Sequence, residues 1–110
     1  MRKPVTWLGD SLEAIRTFPA FARIRIGRQI ARVQDGLAPH DWKPMPSVGL
    51  GVSELRVRAE RAYRVIYVAK FVEGIYVVHA FEKKARRTPR PDIELARTRF
   101  RALVNERKNR

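Results

Sequence analysis

A chain of 110 residues with 24 Lys+Arg against 11 Asp+Glu carries a formal charge of +13, and its pI near 11.4 makes an anion the first expected partner, nucleic acid foremost. Its 45% hydrophobic content excludes a disordered basic tail, because so apolar a chain can bury roughly 65% of its unfolded surface as one domain. The lack of cysteine excludes thiol nucleophiles, Cys-ligated zinc, iron–sulfur clusters and disulfides, and fits a cytoplasmic address.

Residues 4–8 are short and β-prone, and their apolar run breaks too early for a signal-peptide core. No segment reaches the ~18 apolar residues of a spanning helix, so no membrane is expected. Asp10 and Ser11 followed by Glu13 predict a helix start with a capping-box carboxylate. Leu12, Ile15 and Phe18 then form one apolar stripe, and Pro19 closes that helix and opens the next at its first position. In the second helix, residues 20–35, Ala22, Ile26, Ile30 and Val33 share one face, Arg25, Arg28 and Arg32 line another, and Gly36 is the stop.

Residues 37–51 hold Pro39, Pro44, Pro46, Gly49 and Gly51, too many breakers for a regular element, and read as a connecting loop. Alternation over 53–58 predicts a strand with Leu55 and Val57 inward, and the β-branched and aromatic runs at 63–69 and 75–81 add two central strands of an antiparallel meander. Thr88 is a good N-cap with Pro89 at the first helical position. Ile93, Ala96, Phe100 and Leu103 then mark an amphipathic helix whose other face carries Arg97, Arg99, Arg101, Arg107, Lys108 and Arg110, cations available to phosphate. Trp7 and Trp42 read as packing residues, and Tyr63, Tyr67 and Tyr76 as core residues or stacking surfaces for bases.

The charge is concentrated late: residues 83–110 hold 11 Lys+Arg against 3 Asp+Glu. Lys83, Lys84, Arg86 and Arg87 follow directly on the last strand, so the meander brings them toward Arg56, Arg58 and Arg64. Cations gathered on a sheet can hold a phosphodiester and stabilise the charge that develops when a neighbouring 2′-hydroxyl attacks it. Arg64, Lys83 and Lys84 are the expected carriers. His79 has a suitable unperturbed pKa for proton transfer and joins the catalytic candidates, although it shares strand parity with Ile75, Val77 and Phe81 and so reads also as a core histidine. His40 reads as an exposed loop residue, and Glu82 as a base or a salt-bridge partner. The two histidines stand alone, so neither a metal site nor a cofactor is expected.

The ordered set Lys43-Pro44, Ser53-Glu54-Leu55-Arg56, Tyr63-Arg64-Val65-Ile66-Tyr67, His79-Ala80-Phe81-Glu82-Lys83-Lys84 and Thr88-Pro89 with Ile93-Glu94-Leu95-Ala96 resembles the phage-derived HigB-like branch of the RelE/ParE toxin superfamily. The resemblance covers residues 7–103. It implies an α+β, RelE-like fold: two N-terminal helices packed on a small antiparallel sheet of about four strands, with a basic amphipathic helix at the C-terminus. It implies the toxin of a type II toxin–antitoxin system, a metal-independent endoribonuclease that cuts mRNA on the ribosome by 2′-hydroxyl attack. Its implied partners are mRNA, the ribosome and a helix-turn-helix antitoxin, through which it would reach operator DNA indirectly. Family catalytic residues map to Arg64, Lys83 and Lys84, with Arg56 as a further phosphate contact. Beside them, Lys43, Arg58, Arg86 and Arg87 are expected to contact RNA as part of the basic surface. Lys84 stands where RelE has an arginine, a point charge in place of a bidentate clamp. The alternatives are a ParE-like gyrase poison on the same fold and a non-catalytic basic RNA-binding module.

Overall fold

The computed structural model describes residues 2–110, arranged as β1 (Val5–Trp7), α1 (Ser11–Arg16), α2 (Ala20–Gln34), β2 (Trp42–Pro44), β3 (Val52–Arg58), β4 (Ala62–Val68), β5 (Ile75–Lys83) and α3 (Arg90–Lys108). The long strands β3, β4 and β5 form the expected antiparallel meander. Two short strands enlarge it. β2 lies inside the segment expected to be a loop and pairs antiparallel with β3, from Trp42↔Leu55 to Pro44↔Ser53. Its proline is tolerated because β2 is an edge strand. β1 pairs in parallel with β5, Val5↔Ile75 to Trp7↔Val77. The sheet is therefore mixed and five-stranded, in the order β1-β5-β4-β3-β2, rather than antiparallel with about four strands.

Helices cover both faces. Ile15 of α1 and Ala22, Ile26, Ile30 and Val33 of α2 pack on Leu55, Val57, Tyr63, Val65 and Val77. Burying a side chain such as Ile26 contributes roughly 2 kcal/mol. Ala96, Phe100 and Leu103 of α3 pack on Ile66, Val68, Tyr76 and Val78 across the other face. Sandwiched this way, β4 is buried from Tyr63 to Val68, which is why it reads as a nearly continuous apolar run. All three tyrosines are core residues, and Trp7 packs against the first cluster. Trp42 does not: on its edge strand it remains 44% exposed.

Gly36 ends α2 in the left-handed region, at φ +81°. The helix starts differ from expectation. Pro19 and Pro89 occupy the cap positions rather than the first helical ones. Neither expected capping side chain caps its helix, because each has a stronger tertiary partner. Asp10 Oδ1 accepts from Arg99 Nη2 at 2.6 Å, a charge-assisted bond. Thr88 Oγ1 donates to Glu54 Oε2 at 2.9 Å inside the protein, where an unmet polar group costs more than an uncapped end that water can reach.

One irregularity in β5 decides what its end presents. Ile66 faces His79 while Tyr67 faces Val77, so Val78 is the extra residue of a β-bulge. Ile75 and Val77 face α1 and α2, but past the bulge Ala80 takes that side while His79 and Phe81 turn toward α3. His79 thus keeps its expected parity with Phe81 and loses it with Ile75 and Val77.

Candidate nucleic-acid interface

Alternation along β3 puts Glu54, Arg56 and Arg58 on the same face as Val52, the α3 side. Cross-strand register then places Lys43 opposite Glu54, Arg64 opposite Arg56, and Phe81 opposite Arg64. Lys83, the last residue of β5, stands opposite Ala62, itself the partner of Arg58. The first turn of α3 meets β5 at His79, where Asp92 Oδ1 lies 2.6 Å from Nε2, so the rows carrying Arg64 and Lys83 lie beyond the helix.

Beneath these cations sits Glu54, with no solvent exposure. Its Oε2 accepts from Thr88, and its Oε1 lies 3.3 Å from Arg64 Nε and 3.8 Å from Arg56 Nε. Neither approach has hydrogen-bond geometry, so Oε1 and both Nε atoms lack a protein hydrogen-bond partner. The carboxylate therefore acts on the two arginines as a charge rather than a clamp.

The cations repel one another. Burial holds the Arg64 guanidinium below its ordinary pKa, with Glu54 opposing and the charges of Arg56 and Arg58 adding. Arginine remains protonated nonetheless. The Lys83 ammonium is also held below its ordinary value, first by burial and then by the charge of Arg64, with Lys43 and Arg56 contributing and Glu54 opposing. Lys43, Arg56, Arg64 and Lys83 thus share one buried carboxylate, leaving excess positive charge in a partly desolvated place. An anion seated there relieves that repulsion, and charge developing on it is stabilised without rearrangement of the protein.

The other expected site residues are not all gathered here. Lys84 is 80% exposed and lies 3.7 Å from Glu82 Oε2, and Glu82 pairs with Tyr63 toward the α1/α2 side and also bonds Arg61. Arg86 and Arg87 are exposed in the loop between Lys83 and Thr88, whose far end is pinned by the Thr88–Glu54 bond. Arg58 is exposed at the end of β3. His79 is taken up by packing: its ring stacks on Phe81 at 5.3 Å, Nε2 faces Asp92, and Nδ1 is buried without a protein partner. His40 is exposed in its loop, as expected.

The cationic face of α3 is largely spent inside the molecule. Arg97 donates to Ser47 O, Arg99 to Val78 O and Asp10, and Arg107 forms a bidentate pair with Glu73 at 2.7 and 3.0 Å. Glu54 and Thr88 are the site residues that sequence reading missed. The available signal was an acid alternating in phase with Arg56 and Arg58 on a strand whose other face is core. Among the described residues no cluster of three or more His, Cys, Asp or Glu is arranged to hold a metal ion, and no helix is long and apolar enough to cross a membrane.

A mixed sheet clasped by helices on both faces, with cations massed over one buried acid at its open end, defines a small basic α+β protein equipped to hold an anion. The chain belongs to the Gp49-like family of phage-derived proteins (DUF891), whose family model matches residues 13–101. It is a RelE-like family of toxin type. The match reaches from α1 into α3 and includes Lys43, Glu54, Arg56, Arg64 and Lys83. No curated protein matches the chain.

Proposed function

We propose that the protein is the toxin of a type II toxin–antitoxin system and cleaves mRNA without a metal ion, by attack of a 2′-hydroxyl on the adjacent phosphodiester. The observation that carries this reading is the co-facial Arg56–Arg64 pair, with Lys83 beside it and a single buried carboxylate beneath. As the 2′-oxygen bonds to phosphorus, negative charge grows on the non-bridging oxygens, and Arg56 and Arg64 meet it. Each such contact is typically worth about 3 kcal/mol of barrier. Lys83, made more acidic by burial and by Arg64, donates a proton to the departing 5′-oxygen as the P–O5′ bond breaks. The 2′-hydroxyl proton passes to solvent, and a 2′,3′-cyclic phosphate remains. Arg86 and Arg87, exposed in the loop after β5, add charge at the mouth.

On this reading the substrate is mRNA on the ribosome and the site of action is the cytoplasm. A helix-turn-helix antitoxin covers the cation cluster and links the toxin to operator DNA. The test is induction of the chain without its antitoxin, followed by mapping of RNA 5′ ends. Discrete new ends that persist in extracts treated with a chelator, and vanish in Arg64→Gln, support it. Gyrase-linked DNA breaks without RNA cuts would replace it with the ParE-like reading.

A further inference from the structure

We infer that the groove between α2 and the edge of β3 is a second phosphate-binding site, which holds the RNA strand flanking the segment on the sheet. The inference rests on the reading of the sheet face as an RNA site. The groove has a volume of about 420 Å³ and is lined by Arg25, Arg28 and Arg32 of α2, Arg56 and Arg58 of β3, and His40.

Three observations separate it from an ordinary solvated helix face. Arg25, Arg28 and Arg32 fall on one side of α2 and span about 10.5 Å along its axis. Two of them are fastened by neutral acceptors: Arg25 Nη1 donates to Arg58 O at 2.6 Å, and Arg32 Nε to Ala38 O at 2.9 Å. Carbonyls orient a guanidinium without cancelling its charge. Among the described residues, Arg25, Arg28, Arg32 and Arg58 have no acidic partner, whereas Arg2, Arg61, Arg99 and Arg107 are each paired with a carboxylate. The one acid lining the groove, Asp41, is 63% exposed and lies 3.7 Å from Arg56.

The wall opposite β3 is fixed as well. Gln29 Oε1 accepts from the His40 backbone N–H at 2.7 Å, and Gln29 Nε2 donates to His40 Nδ1 at 3.2 Å, which holds the loop against α2.

Arg56 belongs to both places, paired with Arg64 on the sheet and lining the groove. A ligand with evenly repeated charges that crosses β3 engages the two sites in succession. The α2 arginines span about three stacked nucleotides at ~3.4 Å each, and their planar forks suit phosphate.

The experiment measures binding of the full chain to two fluorescently labelled single-stranded RNAs bearing 2′-O-methyl groups that block cleavage, one short enough for the sheet alone and one roughly three times as long, at several salt concentrations. For the triple variant Arg25→Gln, Arg28→Gln, Arg32→Gln, the long RNA is expected to bind more weakly, with the slope of log K against log salt reduced by about 2. Binding of the short RNA stays unchanged. Arg64→Gln weakens both, and thermal unfolding confirms that each variant is folded. Unaltered affinity and slope of the triple variant for the long RNA overturn the inference, as does tighter binding of the groove to polyglutamate than to RNA. Failure of the parent chain to bind either RNA overturns the reading of the sheet itself.

Discussion

Arg56 and Arg64 stand directly opposite each other across β3 and β4, two like charges in a register position that normally destabilises a sheet. Glu54, buried between them on the same face, offsets their repulsion, and Thr88 holds the other oxygen of its carboxylate. Removing the acid from this arrangement differs sharply from removing one of the cations.

Glu54→Gln keeps the shape and deletes the charge, leaving Arg56, Arg64 and Lys83 with no buried counter-charge. Stability is expected to fall by about 3 kcal/mol, the usual cost of breaking a buried ionic group. Urea unfolding with and without added phosphate checks this. Phosphate should stabilise the variant more than the parent, because a bound anion replaces the missing carboxylate; equal gains would count against an anion site over Glu54.

Arg64→Gln should lower kcat/KM for RNA cleavage by about 10²–10³-fold, the typical loss of one donor to developing oxyanion charge. Arg64→Lys should lose less, since it keeps the charge and gives up the fork. Cleavage of a short oligoribonucleotide by both variants, at matched folded fractions, reads the difference. A glutamine variant as active as the parent removes Arg64 from the site.

Glu73 governs an acid-sensitive fastening of α3. The side-chain bond from Arg107 is the main cause that lowers the Glu73 carboxyl from 4.5 to about 2, with its own backbone N–H and Tyr76 adding. Because the folded value is depressed, the stabilisation is complete above the unfolded value of 4.5 and is lost as pH falls toward 2. Urea unfolding across that window should show the parent approaching Glu73→Gln in stability as acid is added. A gap that is constant with pH would mean that the pair does not titrate on unfolding.

His79→Gln tests the difference between packing and proton transfer. The ring stacks on Phe81 and faces Asp92, so the variant should lose about 2 kcal/mol of stability, the scale of a hydrogen bond to a charged group. The pH profile of RNA cleavage by its folded fraction should keep the parent's shape. A lost limb in that profile would restore His79 as a proton carrier.

Much of the scaffold was legible because it is periodic. Ala22, Ile26, Ile30 and Val33, and likewise Ala96, Phe100 and Leu103, are buried where helical spacing placed them. The apolar runs of β4 and β5 likewise identified the centre of the sheet. β1 and β2 were not legible as sheet members, since each is three residues long, β1 pairs with a strand distant in sequence, and β2 itself ends in Pro44. Parity along β5 failed at His79 because a bulge adds one residue without any glycine to announce it.

The site was half legible for a related reason. Arg56, Arg64 and Lys83 follow from strand alternation, but a charge count cannot tell a free cation from one already bonded. The positive run after β5 looked like the main binding surface, yet Arg99 and Arg107 are paired with Asp10 and Glu73 within the fold. Free charge lies on α2 as well, where Arg25 and Arg32 meet carbonyls rather than acids.

The parallel pairing of β1 with β5 sets the order in which the molecule can be completed. Val5 must wait for Ile75, and a contact between residues so far apart in sequence makes for slow folding and late closure. During synthesis the N-terminal part emerges first, so Arg56 and Arg64 leave the ribosome before Lys83 emerges to join them and before Thr88 can fasten Glu54. A nascent chain therefore carries the cations of β3 and β4 before the cluster around Glu54 is assembled.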